Sequence, residues 1–526
     1  KWYLNLGGTY AKAGNLRTPD GILPNSQYNT SNISAKLGVK PLANHMFKIQ
    51  YQRNWSWDVG VPGGDAFPGP AKATYTDIGR HLLSASYRIS NITEKWTALE
   101  LKYFTQYIAR EVMMEPNTVT QASLPNGNVQ RTTPEVFYPT GYHLTNGVQL
   151  QGIWDLSERN TLIAGVDVWG RKLRTGREKH IRIDILNPAG NIIKTNNVVR
   201  GETPIPESSF SSAGLFFQNE TRLMDNRLTM ILGGRFDGIR IKNQEGYDVD
   251  YIIMNGERND NPPTQRITFE KGTEYNLSWS ANAGFLYKLS GNTDLSLNLA
   301  RAFRAPSLEE RFKYIDLGNF VRLGDPTLKP EKSYSADLGI RVWKSKFNLQ
   351  AGIFINHLNN MIVETPGEFV FRLTADSKPD TIPALVNANV RKALLYGVDL
   401  KFAYNFSHDF VFFGSGAYVR GMALETEGNL PLIPPLNGRA GLRYTYSGLG
   451  SVEFSVFGAA TQNKIAEGEK ETAGYYRLDF ALNTKFFDLG FMKIQGFAGI
   501  DNITNNRYTN HLSTNRGDVS VEPGRN

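Results

Sequence analysis

The feature that most constrains this chain is the order of its connections, because short and long connections alternate along the whole sequence. Compact soluble domains rarely contain many structureless loops longer than about 15 residues. An up-and-down membrane barrel has this asymmetry by construction, with short turns on one side and long loops on the other. We expect short turns at Pro41–His45, Ser90–Glu94, Ser157–Asn160, Met224–Arg227, Ser290–Thr293, Lys344–Lys346, Phe406–Asp409, Gly448–Gly450 and Phe487–Gly490. We expect long connections at Gly14–Pro24, Asp58–Asp77, Glu115–Tyr142, Thr175–Pro206, Asn243–Thr273, Arg304–Pro330, Pro366–Asn389, Glu425–Pro434, Asn463–Thr472 and Asn505–Ser520.

Between these connections, apolar and polar side chains alternate with the two-residue period of a β-strand. In Arg227–Asp237 the polar Arg235 and Asp237 stand at odd positions. The even positions of that segment include Leu228, Met230, Leu232 and Phe236. Alternation alone fits a soluble sandwich as well as a membrane barrel, so the long connections decide in favour of the barrel.

Composition agrees with a transmembrane β-barrel. No run of about 18 apolar residues is present, which excludes transmembrane helices but not transmembrane strands. The 24 Tyr, 29 Phe and 8 Trp suit aromatic girdles at both membrane interfaces. The absence of cysteine excludes disulfides, thiolate metal sites and cysteine nucleophiles. The net charge of +8 is not gathered into a dense basic run, so it indicates solvated loops and anionic lipid headgroups rather than nucleic acid.

The pattern predicts about 19 strands, the first beginning near Trp2 and the last ending near Asn502. An odd number is unusual for a bacterial outer-membrane barrel. The chain opens in mid-pattern without a signal peptide, and Gly517–Asn526 is typical of the approach to one more strand. We therefore expect residues 1–526 to form one all-β domain, a large antiparallel transmembrane barrel whose outermost strands lie beyond the chain.

Five segments of the chain carry a family resemblance. Arg301–Glu310 (RAFRAPSLEE) and Gly324–Glu331 (GDPTLKPE, with Asp325 in place of the usual Asn) resemble the FRAP and NPxLKPE segments of the TonB-dependent outer-membrane receptors. Gly499–Tyr508 and Val521–Asn526 resemble the stretches that precede the final strand of the family. Thr18–Gly21 also looks like family barrel sequence. Together the segments extend over the whole chain in the expected order.

The resemblance implies a barrel of the 22-strand type, with a plug domain and three strands outside this chain. It implies a receptor, not an enzyme, that binds a scarce nutrient and passes it to the periplasm with TonB-transmitted energy. The implied partners are the TonB complex through the plug, the nutrient, outer-membrane lipid and lipopolysaccharide. A surface lipoprotein is a further candidate partner. The implied location is the cell outer membrane, and no cofactor or nucleic acid is expected. No Gly-x-Ser-x-Gly, His-Glu-x-x-His or P-loop motif is present.

A ferric siderophore or haem is the favoured nutrient, with cobalamin or copper as alternatives within the family. A passive porin and a soluble β-rich binding module are the alternatives of other classes. Haem receptors of the family typically carry a ligating His between the FRAP and NPxL segments, but Ser307–Gly324 contains none. Tyr314 lies there and is a candidate ferric ligand, with a packed loop aromatic as the favoured alternative.

Other ligand-binding candidates lie at the ends of long connections. His143 follows Tyr142 at one such end and His81 follows another, although a location at the rim of the barrel is the favoured alternative. Phe67 and Tyr75 are candidates for stacking on a flat catecholate or porphyrin. Aromatic residues in this region equally suit an interfacial girdle. No metal site is predicted.

The two central family segments are expected to be structural rather than to contact ligand. Their residues are Phe303, Arg304, Pro306, Asp325, Pro326, Leu328, Pro330 and Glu331. The prolines stiffen the loop backbone. Arg304 and Glu331 are expected to pair with loop or lumen groups.

Overall fold

The fold is an antiparallel sheet in which nineteen wall strands pair in chain order, each with the next. The computed structural model describes residues 1–62, 71–263, 265–316, 320–371, 380–389, 392–425, 428–517 and 519–526. The wall strands are β1 Trp2–Ala13, β2 Tyr28–Val39, β3 His45–Trp57, β4 Lys72–Ser90, β5 Trp96–Glu115, β6 Val129–Ser157, β7 Asn160–Leu186, β8 Ser208–Leu223, β9 Leu228–Asn243, β10 Gly272–Ser290, β11 Thr293–Arg304, β12 Glu331–Trp343, β13 Phe347–Asn359, β14 Ala393–Asn405, β15 Phe410–Ala423, β16 Asn437–Tyr446, β17 Gly450–Ala459, β18 Tyr475–Thr484 and β19 Phe497–Ile500. The expected all-β barrel wall and its strand number are confirmed.

Shorter elements lie in the connections. Five short strands extend the wall to 24 strands in all: Val59–Val61, Thr120–Ser123, Ile192–Glu202, Tyr251–Met254 and Glu257–Asn259. Three two-stranded ribbons pair Arg17–Thr18 with Gly21–Ile22, Gly246–Tyr247 with Ile267–Phe269, and Phe487–Asp488 with Lys493–Ile494. A separate four-stranded sheet contains Tyr314–Asp316, Val321–Leu323, Ile362–Phe371 and Asp380–Asn389. The helices are α1, Leu308–Phe312, and α2, His511–Gly517. In the described part of the chain, no helix has the length and apolar character needed to cross a membrane.

The two faces of the wall differ as the alternation predicts. On β9, Phe236 is 62% exposed, whereas its neighbour Asp237 is 5% exposed. Asp237 joins Arg235, which also lies 2.7 Å from Asp167 on β7. Because hydrocarbon cannot solvate charge, the apolar face is the lipid-facing surface and the ion-paired face lines the lumen.

Eight of the nine expected short turns join wall strands where predicted. The ninth connection is longer, because a small ribbon, Phe487–Asp488 with Lys493–Ile494, lies between β18 and β19. At one turn Gly450 has φ +147°, and a Cβ there would lie 2.0 Å from the carbonyl oxygen of Asn483. Only glycine fits that turn.

Two of the expected long connections were wrong in extent. Much of Glu115–Tyr142 and of Thr175–Pro206 belongs to β6 and β7, which continue as a paired ribbon as far as Val129 and Leu186. A strand needs only about ten residues to cross the membrane, so these strands project beyond it. Pro134 fits because the ladder shifts register beside it, between Pro134 and Val136.

The main buried core belongs to two long loops rather than to the wall. We define the loop module as the described residues of 305–330 and 360–392. It contains α1 and the four-stranded sheet, and it is attached to β11–β14. Its core residues are Leu308, Phe312, Tyr314, Val321, Phe369 and Ala384. They pack against lumen-facing side chains of β7, β8 and β9, namely Leu173, Phe210, Ile239 and Ile241. The module therefore leans across the inside of the barrel, and each fully buried Leu or Phe there stabilises it by about 1.5–3 kcal/mol.

Candidate functional site

The base of the loop module is closed by a carboxylate–guanidinium pair. Arg304, the last residue of β11, pairs in register with Glu331, the first residue of β12. Its Nε donates to Glu331 Oε2 at 2.6 Å and its Nη2 to Oε1 at 2.8 Å. Arg304 Nη1 also donates to Glu310 Oε2 at 2.8 Å. The bonds to Glu331 and then to Glu310 raise the pKa of Arg304, so the guanidinium is a fixed charge.

Helix α1 begins with a capping box. The Glu310 amide donates to Ser307 Oγ at 3.1 Å, and the Ser307 amide donates back to Glu310 Oε2 at 2.8 Å. Burial opposes ionisation of Glu310, but the bonds from Arg304 and the Ser307 amide outweigh it and lower the pKa of the carboxyl. A five-residue helix is marginal alone, so these contacts account for its presence.

The second family segment wraps around the side chain of Arg311. This buried guanidinium donates to the carbonyl of Leu328 at 2.6 Å and to that of Pro326. Asp325 Oδ1 accepts from the Thr327 amide at 2.8 Å. A Cβ at Gly324 would lie 2.5 Å from the Arg311 carbonyl carbon, so the chain passes too closely there for any side chain.

The other members of the expected structural set also lie within the fold of the module. Leu328 and Pro306 are buried, and Phe303 packs against the module core. The carbonyl of Pro330 faces the Asn360 amide at 3.5 Å. These residues shape and anchor the module.

Tyr314 is part of the module core. It is 3% exposed and meets Phe369 edge to face, with ring centroids 5.2 Å apart. Its hydroxyl has no hydrogen-bond partner among the described residues. Burial raises the pKa of the phenol, with Asp316 adding to the effect. The side chain occupies the packed position, with no open path to a ligand.

His81 and Tyr142 face the outside of the wall and not the lumen. The register places His81 beside Arg53 and Tyr107, in the same alternating set as the exposed Leu83 and Tyr87. The Tyr51 hydroxyl lies 2.9 Å from His81 Nδ1. Tyr142 stacks on Tyr107 with ring centroids 6.4 Å apart and donates to Glu111 at 2.9 Å. Both are members of an aromatic girdle that also includes the stacked Trp55 and Trp57.

Tyr75 is the remaining aromatic candidate among the described residues. It pairs in register with Val59 and Val112 at the upper end of β4, and the register shift between Tyr75 and Asp77 places it in the same alternating set as Arg110. Phe67 lies outside the described residues.

His143 does face the lumen, because it alternates with Tyr142 along β6. It lies in one row with Arg80 and Ile108, and Arg110 and Arg171 occupy the adjacent rows. We call Arg80, Arg110, His143 and Arg171 the lumen patch. His143 stands fourteen residues above the periplasmic end of β6, about 35 Å at roughly 2.5 Å of height per tilted residue, which is beyond the apolar band.

The electrostatics of the lumen patch are those of an anion site. Burial lowers the pKa of His143, and the nearby charges of Arg171 and Arg110 lower it further. Arg171 reaches Glu309 of α1 at 3.1 Å, and Arg80 Nε donates to Gln106 Oε1 at 2.6 Å. Among the described residues, no group of three His, Asp or Glu side chains converges as a metal site would require. Arginine pairs bidentately with carboxylate-like groups, so the patch suits a ligand with negatively charged oxygens.

Sequence reasoning named His143 as a candidate but did not name the three arginines. They lie far apart in the chain, on β4, β5 and β7, and only the strand register brings them together. The alternation around each arginine predicted that its side chain faces the lumen. The local sequence did not indicate that the three arginines and His143 would become neighbours.

A buried ionic cluster fixes the loop module to the upper ribbon of β7. Lys179 lies 3.0 Å from Glu202 and donates to the Asp316 carbonyl at 3.2 Å, and Arg200 contacts Asp316 at 3.3 Å. Burial lowers the pKa of Lys179 to about 8, and Arg177 adds to the lowering while Glu202 opposes it. Breaking such a buried pair is costly, about 3–5 kcal/mol, so the cluster holds the module in place.

The comparisons with known proteins agree with this geometry. A family model described as "TonB dependent receptor-like, beta-barrel" matches residues 2–503. Transferrin-binding protein A of Neisseria meningitidis serogroup B is 39% identical over 92 residues, which are 17% of this chain and 10% of that relative. The chain therefore matches only a small part of that protein's length.

Two solved structures show the same fold. The copper transporter OprC superposes with a TM-score of 0.75 at 18% identity, over 100% of this chain and 74% of its own. The FrpB iron transporter of Neisseria meningitidis, F3-3 variant, superposes with a TM-score of 0.65 at 12% identity, over 100% and 75%. At these identities the likeness concerns the fold.

Proposed function

This chain belongs to the TonB-dependent receptor β-barrel family, and on that premise we propose that it is the translocation barrel of a receptor that imports a ferric complex, either a siderophore or haem. Members of the family are transport receptors and not enzymes. The family match also favours an actively driven receptor over a passive porin. Residence in the outer membrane, coupling to TonB through a plug, and a surface lipoprotein partner belong to the same proposal.

The lumen patch is the observation that supports a ferric complex. Siderophores offer catecholate, hydroxamate or carboxylate oxygens, and haem offers two propionates. Three arginines and a half-buried histidine lie together on the lumen face, with His143 above the apolar band, where an entering solute meets them. Arg110 forms no ion pair with a carboxylate within the described chain, so its charge is available to a ligand.

The names of two similar proteins point the same way. Transferrin-binding protein A and the FrpB iron transporter are, by name, proteins of iron acquisition. The copper transporter OprC keeps copper open as the second candidate. Cobalamin is the third.

Growth of a deletion strain on defined iron sources tests the proposal. We expect the strain to lose growth on one ferric siderophore or on haem, and to recover it when the full-length gene is restored. Normal growth on every iron complex would overturn the ferric proposal. Whole-cell metal quantification in the same strain then tests copper, and growth on cobalamin tests the third candidate.

The site itself is tested with Arg110→Gln in the restored strain. We expect uptake of the identified complex to fall at least tenfold, because a charge-assisted contact contributes about 1.5–3 kcal/mol. Lys36→Gln is the matched control, since Lys36 is a lumen-facing base of β2 outside the lumen patch. Equal uptake by Arg110→Gln and Lys36→Gln would place the binding site elsewhere.

A further inference from the structure

One carboxylate of the loop module lies at the lumen patch. Glu309, in the first turn of α1, places its Oε2 3.1 Å from Nη2 of Arg171. Within the described chain, no other carboxylate forms an ion pair with an arginine of the lumen patch. The module therefore supplies an anionic oxygen at the position where the patch suits the anionic oxygens of a ligand.

Glu309 is held less firmly than its neighbour Glu310. Glu310 accepts hydrogen bonds from Arg304 and from the Ser307 amide, which fix it at the base of the module. The Glu309 side chain has its one hydrogen bond among the described residues with Arg171. The two side chains of that pair are 38% and 26% exposed, so an entering solute reaches both from the lumen. A competing anion can therefore displace the Glu309 carboxylate without breaking the capping box of α1.

The loop module has a second contact with β7, and that contact is buried. Lys179 and Glu202 have side chains that are 8% and 3% exposed. Lys179 also donates to the Asp316 carbonyl at 3.2 Å. A buried ion pair is costly to break, whereas a partly exposed pair contributes little to stability. The contact through Lys179 therefore keeps the module on β7 when Glu309 leaves Arg171.

The charge of Glu309 also acts on the histidine of the lumen patch. Burial and then Arg171 lower the pKa of His143, and Glu309 opposes them. A second anion at the patch is repelled by the Glu309 carboxylate as long as that carboxylate stays there, because like charges at short range raise the energy of the bound state. Glu309 thus competes with a ligand for Arg171 and also repels it.

We propose that Glu309 is a resident anion of the lumen patch, and that an anionic ferric complex displaces it from Arg171 on binding. The inference rests on the proposed function, because it takes the lumen patch as the ligand site. Displacement leaves Arg171 paired with an oxygen of the ligand and frees the first turn of α1 from the wall. Glu309 thereby determines specificity, since a neutral complex offers Arg171 less than the carboxylate that it would have to replace.

Binding and hydrogen exchange of the full-length receptor test the displacement. The probes are three anionic iron complexes, namely ferric citrate, ferric tris-catecholate and haemin, and the neutral ferric tris-acetohydroxamate. We expect at least one anionic probe to bind, and to bind at least tenfold more tightly than the neutral probe. Saturation with that probe should accelerate exchange of the α1 amides at least twofold in the wild type and should leave exchange unchanged in Glu309→Gln.

Two variants of the same ion pair separate displacement from a structural contact. Glu309→Gln and Arg171→Gln both break the pair, so each should accelerate exchange of the α1 amides about twofold without ligand. Their affinities for the anionic probe should change in opposite directions. Affinity should rise at least threefold in Glu309→Gln, which loses the competitor, and fall at least fivefold in Arg171→Gln, which loses a ligand contact.

Arg174→Gln and Glu207→Gln are the matched controls. They break an exposed pair of the same kind, which joins β7 on its outer face with a separation of 3.0 Å. Both are expected to keep wild-type affinity and wild-type exchange of the α1 amides.

The outcomes distinguish failure of this inference from failure of the proposed function. If none of the four probes binds, the lumen patch is not a site for a ferric complex and both fail. If an anionic probe binds but affinity is unchanged or lower in Glu309→Gln, Glu309 is a structural contact and the inference alone fails. Equal binding of the neutral probe would also overturn the inference alone.

Discussion

Arg304 and Glu331 are joined by two parallel hydrogen bonds, of 2.6 and 2.8 Å, at the point where β11 ends and β12 begins. The chain between them leaves the wall and returns to it after building α1 and half of the loop module. The pair therefore holds together the two ends of a loop whose core packs on the lumen-facing side chains of β7, β8 and β9.

Glu331→Gln is expected to loosen the base of the loop module. The guanidinium of Arg304 is partly exposed, which limits the loss to about 1 kcal/mol. Hydrogen exchange of the amides in α1 should accelerate about fivefold. Glu220→Gln, which breaks an exposed pair with Arg222 on the wall, should leave that exchange unchanged. Unchanged exchange in Glu331→Gln would show that the pair does not anchor the module.

Gly324→Ala is expected to open the module while the wall stays folded. Its new Cβ would lie 2.5 Å from the backbone of Arg311, an overpacking that costs about 1–3 kcal/mol. Limited proteolysis within residues 305–330 should be at least fivefold faster than in the wild type. Gly291→Ala is the control, because a Cβ there meets no atom within 4 Å. Identical cleavage of the two variants would contradict the expectation.

Tyr314→Phe is expected to leave uptake unchanged. The Tyr314 hydroxyl is buried without a hydrogen-bond partner among the described residues, and an unsatisfied buried hydroxyl costs about 1–3 kcal/mol. Its removal should keep or raise the thermal midpoint of the receptor. A loss of haem or siderophore binding in this variant would show instead that the phenol is a ligand.

Ligand affinity is expected to rise as the pH falls from 7.5 to 5.5. Burial and two arginines lower the pKa of His143 below its usual 6.5, so the unliganded side chain is neutral at pH 7. A bound anion opposes that shift, so binding takes up a proton. Titration of the identified complex at both pH values should show the increase in the wild type and in His408→Gln, a distant exposed histidine, but not in His143→Gln.

The lowered pKa of His143 also makes the stability of the barrel depend on pH. Because the unfolded chain binds the proton more readily than the folded one, the contribution of neutral His143 is present above pH 6.5. It is lost as the pH falls from 6.5 through the lower, folded-state pKa. The His143→Gln barrel should therefore lose less stability than the wild type on acidification, which equilibrium unfolding at pH 7 and pH 5 measures.

The wall was predictable because its rule is local. Phe236 and Asp237 reveal the two faces of β9 from sequence alone, since a shift of one residue would place a carboxylate in lipid. The upper parts of β6 and β7 were not predictable in this way. Pro134 and Pro139 are typical of loops, yet both lie in a ribbon that the facing strand stabilises.

The candidate site depended on non-local facts. Tyr142 and His143 are adjacent in the chain, but β6 turns one to the girdle and the other to the lumen. The strand register decides which of the two side chains faces the lumen. Arg171 contacts Glu309, which belongs to a loop four strands later in the chain, so this contact could not be predicted from the local sequence.

The loop module is attached to β11–β14 but packs on β7–β9, and this has a mechanical consequence. A barrel whose strands contact only their neighbours in the wall has a cross-section that deforms easily. The loop module connects two separated parts of the wall, because it is attached to β11–β14 and contacts β7 through Arg171–Glu309 and Lys179–Asp316. It therefore resists flattening of the barrel. The loop module therefore stiffens the cross-section of the barrel on this side from within.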